Sequence, residues 1–202
     1  MDRRTTIKWM LAVATTPPGA IAASGRAPAA RGYGTDPDVV KSYRAGELWP
    51  LTFTLAQRKT AAALCDTIIP ADERSPSASA VGVVEFIDEW VSAPYPRNQR
   101  DRGIVLDGFK WLDAEAARRF GRAFTELGAG EQRAICDEIC DESRAASASR
   151  DAARFFALYR DLTAGGFYST PVGRKDLGYI GNVPQARFDG PAPELLRKLN
   201  LP

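Results

Sequence analysis

The densest group of reactive side chains in this chain is Cys136-Asp137-Glu138-Ile139-Cys140, followed at once by Asp141 and Glu142. On a helix the two thiols, four residues apart, share one face. An unbroken helix nevertheless aims i, i+4 cysteines poorly for a mutual disulfide. Cys65 brings the thiols to three. At most one intrachain bridge then forms, and at least one thiol is left over, buried or bonded to a partner. Three cysteines without the rest of a ligand set are weak ground for an iron–sulfur cluster, and small buried hydrophobes are the favoured reading. Acid–base work by the four carboxylates would need a pocket and a perturbed pKa. A solvated face, or a rim that meets a basic partner, is expected instead. Asp66, Asp72 and Glu73 flank Thr67-Ile68-Ile69-Pro70 and read as caps and loop anchors, because calcium wants a denser oxygen set. Gly165-Gly166 follows no strand and lacks both G-x-G-x-x-G and a Lys-Ser/Thr ending, so a phosphate loop is excluded.

The 202 residues contain no histidine. That removes Ser-His-Asp and Cys-His nucleophile systems, covalent c-type haem attachment and histidine zinc sites. It is the strongest datum against a self-contained enzyme. A composition of 45% hydrophobic and 26% charged residues suits one globular domain with its own core. The formal charge is +2, but residues 1–30 hold Arg3, Arg4, Lys8 and Arg26 against Asp2 alone. The remainder has 23 basic and 24 acidic residues. The basicity therefore belongs to the leader, and no basic stripe with interleaved aromatics argues for nucleic acid.

Helices must position these groups, because no segment alternates with period two over strand length. The expected architecture is all-α: one compact helical domain, with a cleaved leader over 1–30, a tether over 31–54 and the domain over 55–202. Thr54-Leu55-Ala56-Gln57 forms a capping box that opens a helix burying Ala61, Leu64, Cys65 and Ile68, which Pro70 ends. A second helix, 80–92, carries Val83, Phe86, Ile87, Trp90 and Val91 on one face. A third starts near Asn98 with Val105, Phe109 and Leu112 inward, and 113–122 continues in helical composition. A fourth, 131–145, turns Ile135 and Ile139 inward with Ala134. A fifth opens at Ser149, places Ala152, Phe155, Phe156, Tyr159 and Leu162 on one stripe, and stops at Gly165-Gly166. The core expected from these patterns includes Leu64, Ile68, Phe86, Trp90, Phe109, Leu112, Ile135, Ile139, Phe156 and Tyr159. Pro191 to Leu201 supplies one more short amphipathic turn.

The two ends of the chain carry the remaining signals. Asp2-Arg3-Arg4-Thr5-Thr6-Ile7-Lys8 resembles a twin-arginine export signal, with Asp2 where Ser or Thr is usual and Thr6 where Phe is usual. The apolar run behind it is too short and broken to span a bilayer. Ala20-Ile21-Ala22 and Ala27-Pro28-Ala29 offer small-residue cleavage sites. At the other end, the segment from Gly165 to Asn182 has five glycines, two tyrosines and one phenylalanine without a long period. Thr170-Pro171 reads as an N-cap with proline at the first helical position, opening one turn that Gly178 stops. The aromatics either pin this segment to the domain's own core or, with Arg174 and Lys175 at the rim, face another protein.

This segment, with Leu64-Cys65-Asp66-Thr67-Ile68-Ile69-Pro70 and Gly82-Val83-Val84-Glu85-Phe86-Ile87-Asp88, resembles the gluconate 2-dehydrogenase subunit 3 family from about Leu55 to the C-terminus. The resemblance implies a non-catalytic gamma subunit of a periplasmic, membrane-associated, flavin-dependent sugar or polyol dehydrogenase. Its partners would be a large flavoprotein holding FAD, a cytochrome subunit holding haem c, and the twin-arginine export machinery. This chain itself would bind no cofactor and no metal. The expected interface residues are Phe167, Tyr168, Arg174, Lys175, Tyr179 and Ile180, irregular in structure and wrapped over the domain; Arg3, Arg4 and Lys8 form the export signal. The alternative is a free-standing periplasmic enzyme or small-ligand binder with Asp66, Glu85, Tyr168 and Arg174 converging on a pocket.

Overall fold

Helix formation starts where the sequence marks it. Thr54 Oγ1 accepts the Gln57 N–H at 3.2 Å, and Gln57 Oε1 accepts the Thr54 N–H at 2.9 Å. This reciprocal pair opens α1 (Leu55–Ile68). In the computed structural model, which describes residues 42–179, 181, 184, 187 and 190–201, six further helices follow. They are α2 (Val83–Ser92), α3 (Pro96–Phe120), α4 (Ala129–Ile139), α5 (Arg150–Ser169), α6 (Pro171–Asp176) and α7 (Pro193–Lys198). No strand occurs among the described residues, and the all-α expectation holds. The chain divides into two compact units, Met1–Pro50 and Leu51–Pro202. In the first, residues 42–50 contain a turn in which the Glu47 N–H donates to the Arg44 carbonyl at 3.0 Å. All seven helices lie in the second.

Helix α5 is the axis of that unit and packs against α1, α2, α3, α4 and α6. Its stripe of Ala152, Phe155, Phe156, Tyr159 and Leu162 is buried as its spacing requires. Tyr159 sits at the centre, its ring 5.6 Å from that of Phe109 and 5.8 Å from that of Phe155. Its hydroxyl donates to the Ala61 carbonyl of α1 at 3.0 Å and lies 3.5 Å from Cys65 Sγ. Gly108 lets α3 come this close, because a Cβ there would overlap the Phe155 ring.

Four expectations change. Helix α2 buries Val83, Val84, Ile87 and Val91 but also Asp88 and Ser92, whereas Phe86 is 38% exposed and Trp90 half-buried. The inward face is rotated because Asp88 Oδ1 accepts the N–H groups of Thr52 and Phe53, each at 3.0 Å, and Arg58 donates to Oδ2 at 2.8 Å. A buried carboxylate needs such partners, and here they lie on the core side. Thr52 and Phe53, expected in the tether, are thereby fastened to α2. Helix α3, by contrast, is one continuous 25-residue helix from Pro96 that takes in 113–120, in keeping with the helical composition of 113–122. Helix α4 stops at Ile139 instead of continuing to Ala145, since Asp141 accepts from Ser143 N–H at 2.9 Å and Oγ at 2.6 Å and turns the chain; its inward face takes Cys136 with Ile135 and Ile139, and Ala134 is exposed. Helix α5 runs straight through Gly165-Gly166, because Thr163, Gly166 and Phe167 prolong the buried stripe. Of the other expected core residues, Ile68 is half-buried against the core and the rest are buried.

Side chains of α3 cap the end of α2 across the Pro94-Tyr95-Pro96 corner. Arg102 donates to the carbonyls of Val91 (2.6 Å) and Ser92 (3.0 Å), Asn98 to Trp90 (2.9 Å) and Gln99 to Ala93 (2.6 Å). At the far end of α3, Glu115 accepts from Arg118 and Arg119, and Arg119 also reaches Glu138 on α4. The Arg118 hydrogen bond, followed by Arg119, holds the Glu115 carboxyl down at about 2. A depressed acid stabilises the folded state above its unfolded value and loses that contribution as pH falls toward its folded value. The stability of the native chain should therefore decline between about pH 5 and pH 2. Glu115→Gln should flatten that decline and lower the urea midpoint at neutral pH, as read by equilibrium unfolding at a series of pH values. An unchanged acid limb in the variant would show that the carboxylate is not held in this way.

Candidate functional site

The stretch expected to meet a partner begins as the buried end of α5. Phe167 is fully buried, so the expectation that it faces outward is corrected: it is a pin in the chain's own core. Thr170 makes the turn that follows. Its Oγ1 donates to the Phe167 carbonyl at 2.7 Å and accepts the Gly173 N–H at 3.0 Å, satisfying the end of one helix and the start of the next. Pro171 opens α6, as its position after the cap predicts. Gly173 is required sterically, since a Cβ would run into the Phe167 carbonyl and the Tyr168 Cα. Gly178, at φ +70°, ends the element, and the Tyr179 N–H donates to the Arg174 carbonyl at 2.9 Å. The start of the segment is thus helical, where irregular structure was expected.

This geometry brings Arg174, Lys175 and Tyr179 together. With Pro171, Gly178 and Gly181 they line an open cleft of about 500 Å³. Tyr168 lies outside this lining, 39% exposed, its ring edge-on to Phe167 at 5.2 Å. Leu177 is 64% exposed beside the cleft and had not been singled out; an apolar residue between Asp176 and Gly178 was the available signal. Ile180 lies outside the described residues, as do Arg3, Arg4 and Lys8.

The other reactive groups are placed as follows. Cys65 and Cys136 are buried, Cys140 is exposed, and all three are free thiols. Burial pushes the Cys65 thiol up to about 11 and the Cys136 thiol up to about 12. Asp137, Asp141 and Glu138 line a shallow cleft of about 410 Å³ with Cys140 and Arg144, and Glu138 is engaged by Arg119. Among the described residues no three His, Cys, Asp or Glu side chains gather where a metal ion could sit. Asp66 accepts from Ser79 N–H (3.0 Å) and Oγ (2.7 Å), and Asp72 from the N–H groups of Arg74 and Ser75 at 2.8 Å. Both are loop anchors, as their positions suggest. Glu85 pairs with Arg58, so of the four residues expected to converge on a pocket, two are committed to other partners. A groove of about 520 Å³ not anticipated from sequence lies between α3 and α5, floored by Ile104, Trp111 and Phe155 and edged by Arg100 and Arg154.

The described residues form an all-helical domain whose buried side-chain polar atoms all find hydrogen-bond partners. The chain belongs to the gluconate 2-dehydrogenase subunit 3 family, whose model matches residues 56–186 and so spans α1 through α6. The family takes its name from a subunit of a dehydrogenase. No curated protein and no solved structure matches the chain.

Two outcomes follow from the geometry. Phe167→Ala should destabilise the domain by about 3–5 kcal/mol. Tyr168→Ala should cost under about 1 kcal/mol, because a half-exposed ring gives up little burial. Chemical denaturation followed by circular dichroism separates the two. With iodoacetamide at about pH 8, the native chain should be alkylated at Cys140 first, Cys65 and Cys136 reacting only after unfolding; mass spectrometry of the native adduct identifies the thiol.

Proposed function

We propose that this chain is the non-catalytic small subunit of a periplasmic, membrane-associated, FAD-dependent sugar or polyol dehydrogenase. In this role it carries the export signal, escorts the folded flavoprotein through the twin-arginine route and stabilises it afterwards. FAD belongs to the large subunit and haem c to a cytochrome subunit. The observation that carries this reading is the family match across nearly the whole folded unit. Two sequence features support it: the Arg3-Arg4 pair with Lys8 behind it, and a chain with no histidine for nucleophile activation or haem attachment. The outward-facing residues of the terminal segment, Tyr168, Arg174, Lys175 and Tyr179, are the proposed contact with the flavoprotein.

The free-standing enzyme or ligand binder draws its support from the groove between α3 and α5, which has an apolar floor and charged edges. Two measurements decide between the readings. Co-expression with the flavoprotein of the neighbouring reading frame should yield a complex that survives size-exclusion chromatography. Replacing Arg3 and Arg4 together by lysine should then remove both proteins from the periplasmic fraction. Export of the flavoprotein that persists in the double variant defeats the escort role, and a small chain that elutes alone defeats the subunit reading.

A further inference from the structure

The charges of the folded unit are divided along the chain. Residues 51–170 carry fifteen Lys/Arg against eighteen Asp/Glu, whereas residues 171–202 carry five against three. In the helical body seven of the fifteen cations have a carboxylate within ion-pair distance, among them Arg58 beside Asp88 and Glu85, Arg122 beside Glu131 and Lys110 beside Asp107. Arg174 and Lys175 are exposed and, among the described residues, neither has a carboxylate within ion-pair distance. Among the described residues no carboxylate lines their cleft.

The backbone that carries them is also held in place. The Gly173–Phe167 approach and the two hydrogen bonds of Thr170 seat α6 on the buried end of α5. The Arg174 carbonyl holds the Tyr179 N–H, so the phenol ring, 55% exposed, stands at the same cleft. Leu177 adds apolar surface next to it. Two cations on a seated helix, with an exposed tyrosine and leucine just past its end, combine apolar and basic groups in one short stretch, and aromatic residues and arginine are enriched in protein interfaces. Such a surface gains most from a partner of opposite sign, whose carboxylates meet the fork of Arg174 and the ammonium of Lys175.

Resting on the subunit reading above, we propose that the α6 cleft docks an acidic segment of the flavoprotein, with at least two carboxylates flanking an apolar side chain that packs on Tyr179. The test uses the purified two-protein complex. Retention of the flavoprotein on the immobilised small subunit should fall when salt rises from about 0.1 M to about 1 M, as the screening length shrinks from roughly 10 Å to 3 Å. The charge reversal R174E/K175E should weaken retention about tenfold or more at low salt. A charge-matched reversal on the helical body, R133E/R150E, should leave it within about twofold. R174K/K175R should retain most of the affinity, and thermal melting of each variant checks that the domain is folded. Equal retention by R174E/K175E and the native chain overturns the proposal while leaving the subunit reading in place. So does equal loss in both reversals, which would make the effect one of net charge. Binding to phosphatidylglycerol vesicles that requires Arg174 and Lys175, with flavoprotein retention unaltered, assigns the cleft to a lipid surface and overturns it as well. No retention by the native chain at low salt removes the subunit reading and this docking site together.

Discussion

A phenol oxygen at the centre of an apolar bundle is tolerated only if it is paired, and Tyr159 finds its acceptor on another helix. Its hydrogen bond to the Ala61 carbonyl joins α5 to α1, while its ring lies against Phe109 of α3. One side chain therefore sets the relative position of three helices. Leaving such a buried hydroxyl unpaired would cost about 1–3 kcal/mol, so sliding α5 by one turn along α1 is penalised well beyond lost packing. Cys65 and Thr163 complete the same polar island, which explains a thiol in the core with no chemistry assigned to it. The burial that makes the island selective also raises the Tyr159 hydroxyl well above its ordinary value and keeps it protonated.

The α6 cleft depends on the same axis. Phe167 belongs to the inner stripe of α5, yet its carbonyl receives Thr170 and lies directly beneath Gly173. The seat of α6 is thus continuous with the core, and the cleft residues inherit their placement from buried packing. A terminal segment that looked in sequence like a choice between core pin and partner contact is divided between buried and exposed positions. Phe167 faces inward, and Tyr168, Arg174, Lys175 and Tyr179 face outward.

Much of this was legible wherever apolar period or cap chemistry acted alone. The Thr54/Gln57 box, the stripe from Ala152 to Leu162 and the Thr170-Pro171 start are written in adjacent residues. The errors have a common physical cause, which is polar or small residues that serve the interior. Asp88 and Ser92 counted as solvent-facing in a hydrophobic pattern, so the pattern pointed to Phe86 and Trp90 instead. Gly165-Gly166 counted as a stop, yet Gly166 lies against Phe86 and Val83, where an ideal Cβ would stand 2.8 Å from the Phe86 ring. Small size, not a positive φ, is what that position uses. The cleft was legible as residue types but not as geometry, because its shape comes from the fold-back of α6 onto Phe167.

The corner between α2 and α3 has a consequence for how the chain finds this fold. Its four capping contacts bridge only 6 to 11 residues of sequence, across a segment that Pro94 and Pro96 already stiffen. Closing so short a loop forfeits little chain entropy, whereas the Tyr159–Ala61 bond must bring together residues 98 apart. The α2–α3 hairpin can thus assemble as a local unit before the long-range contacts form, and offer α5 a ready surface on which to condense.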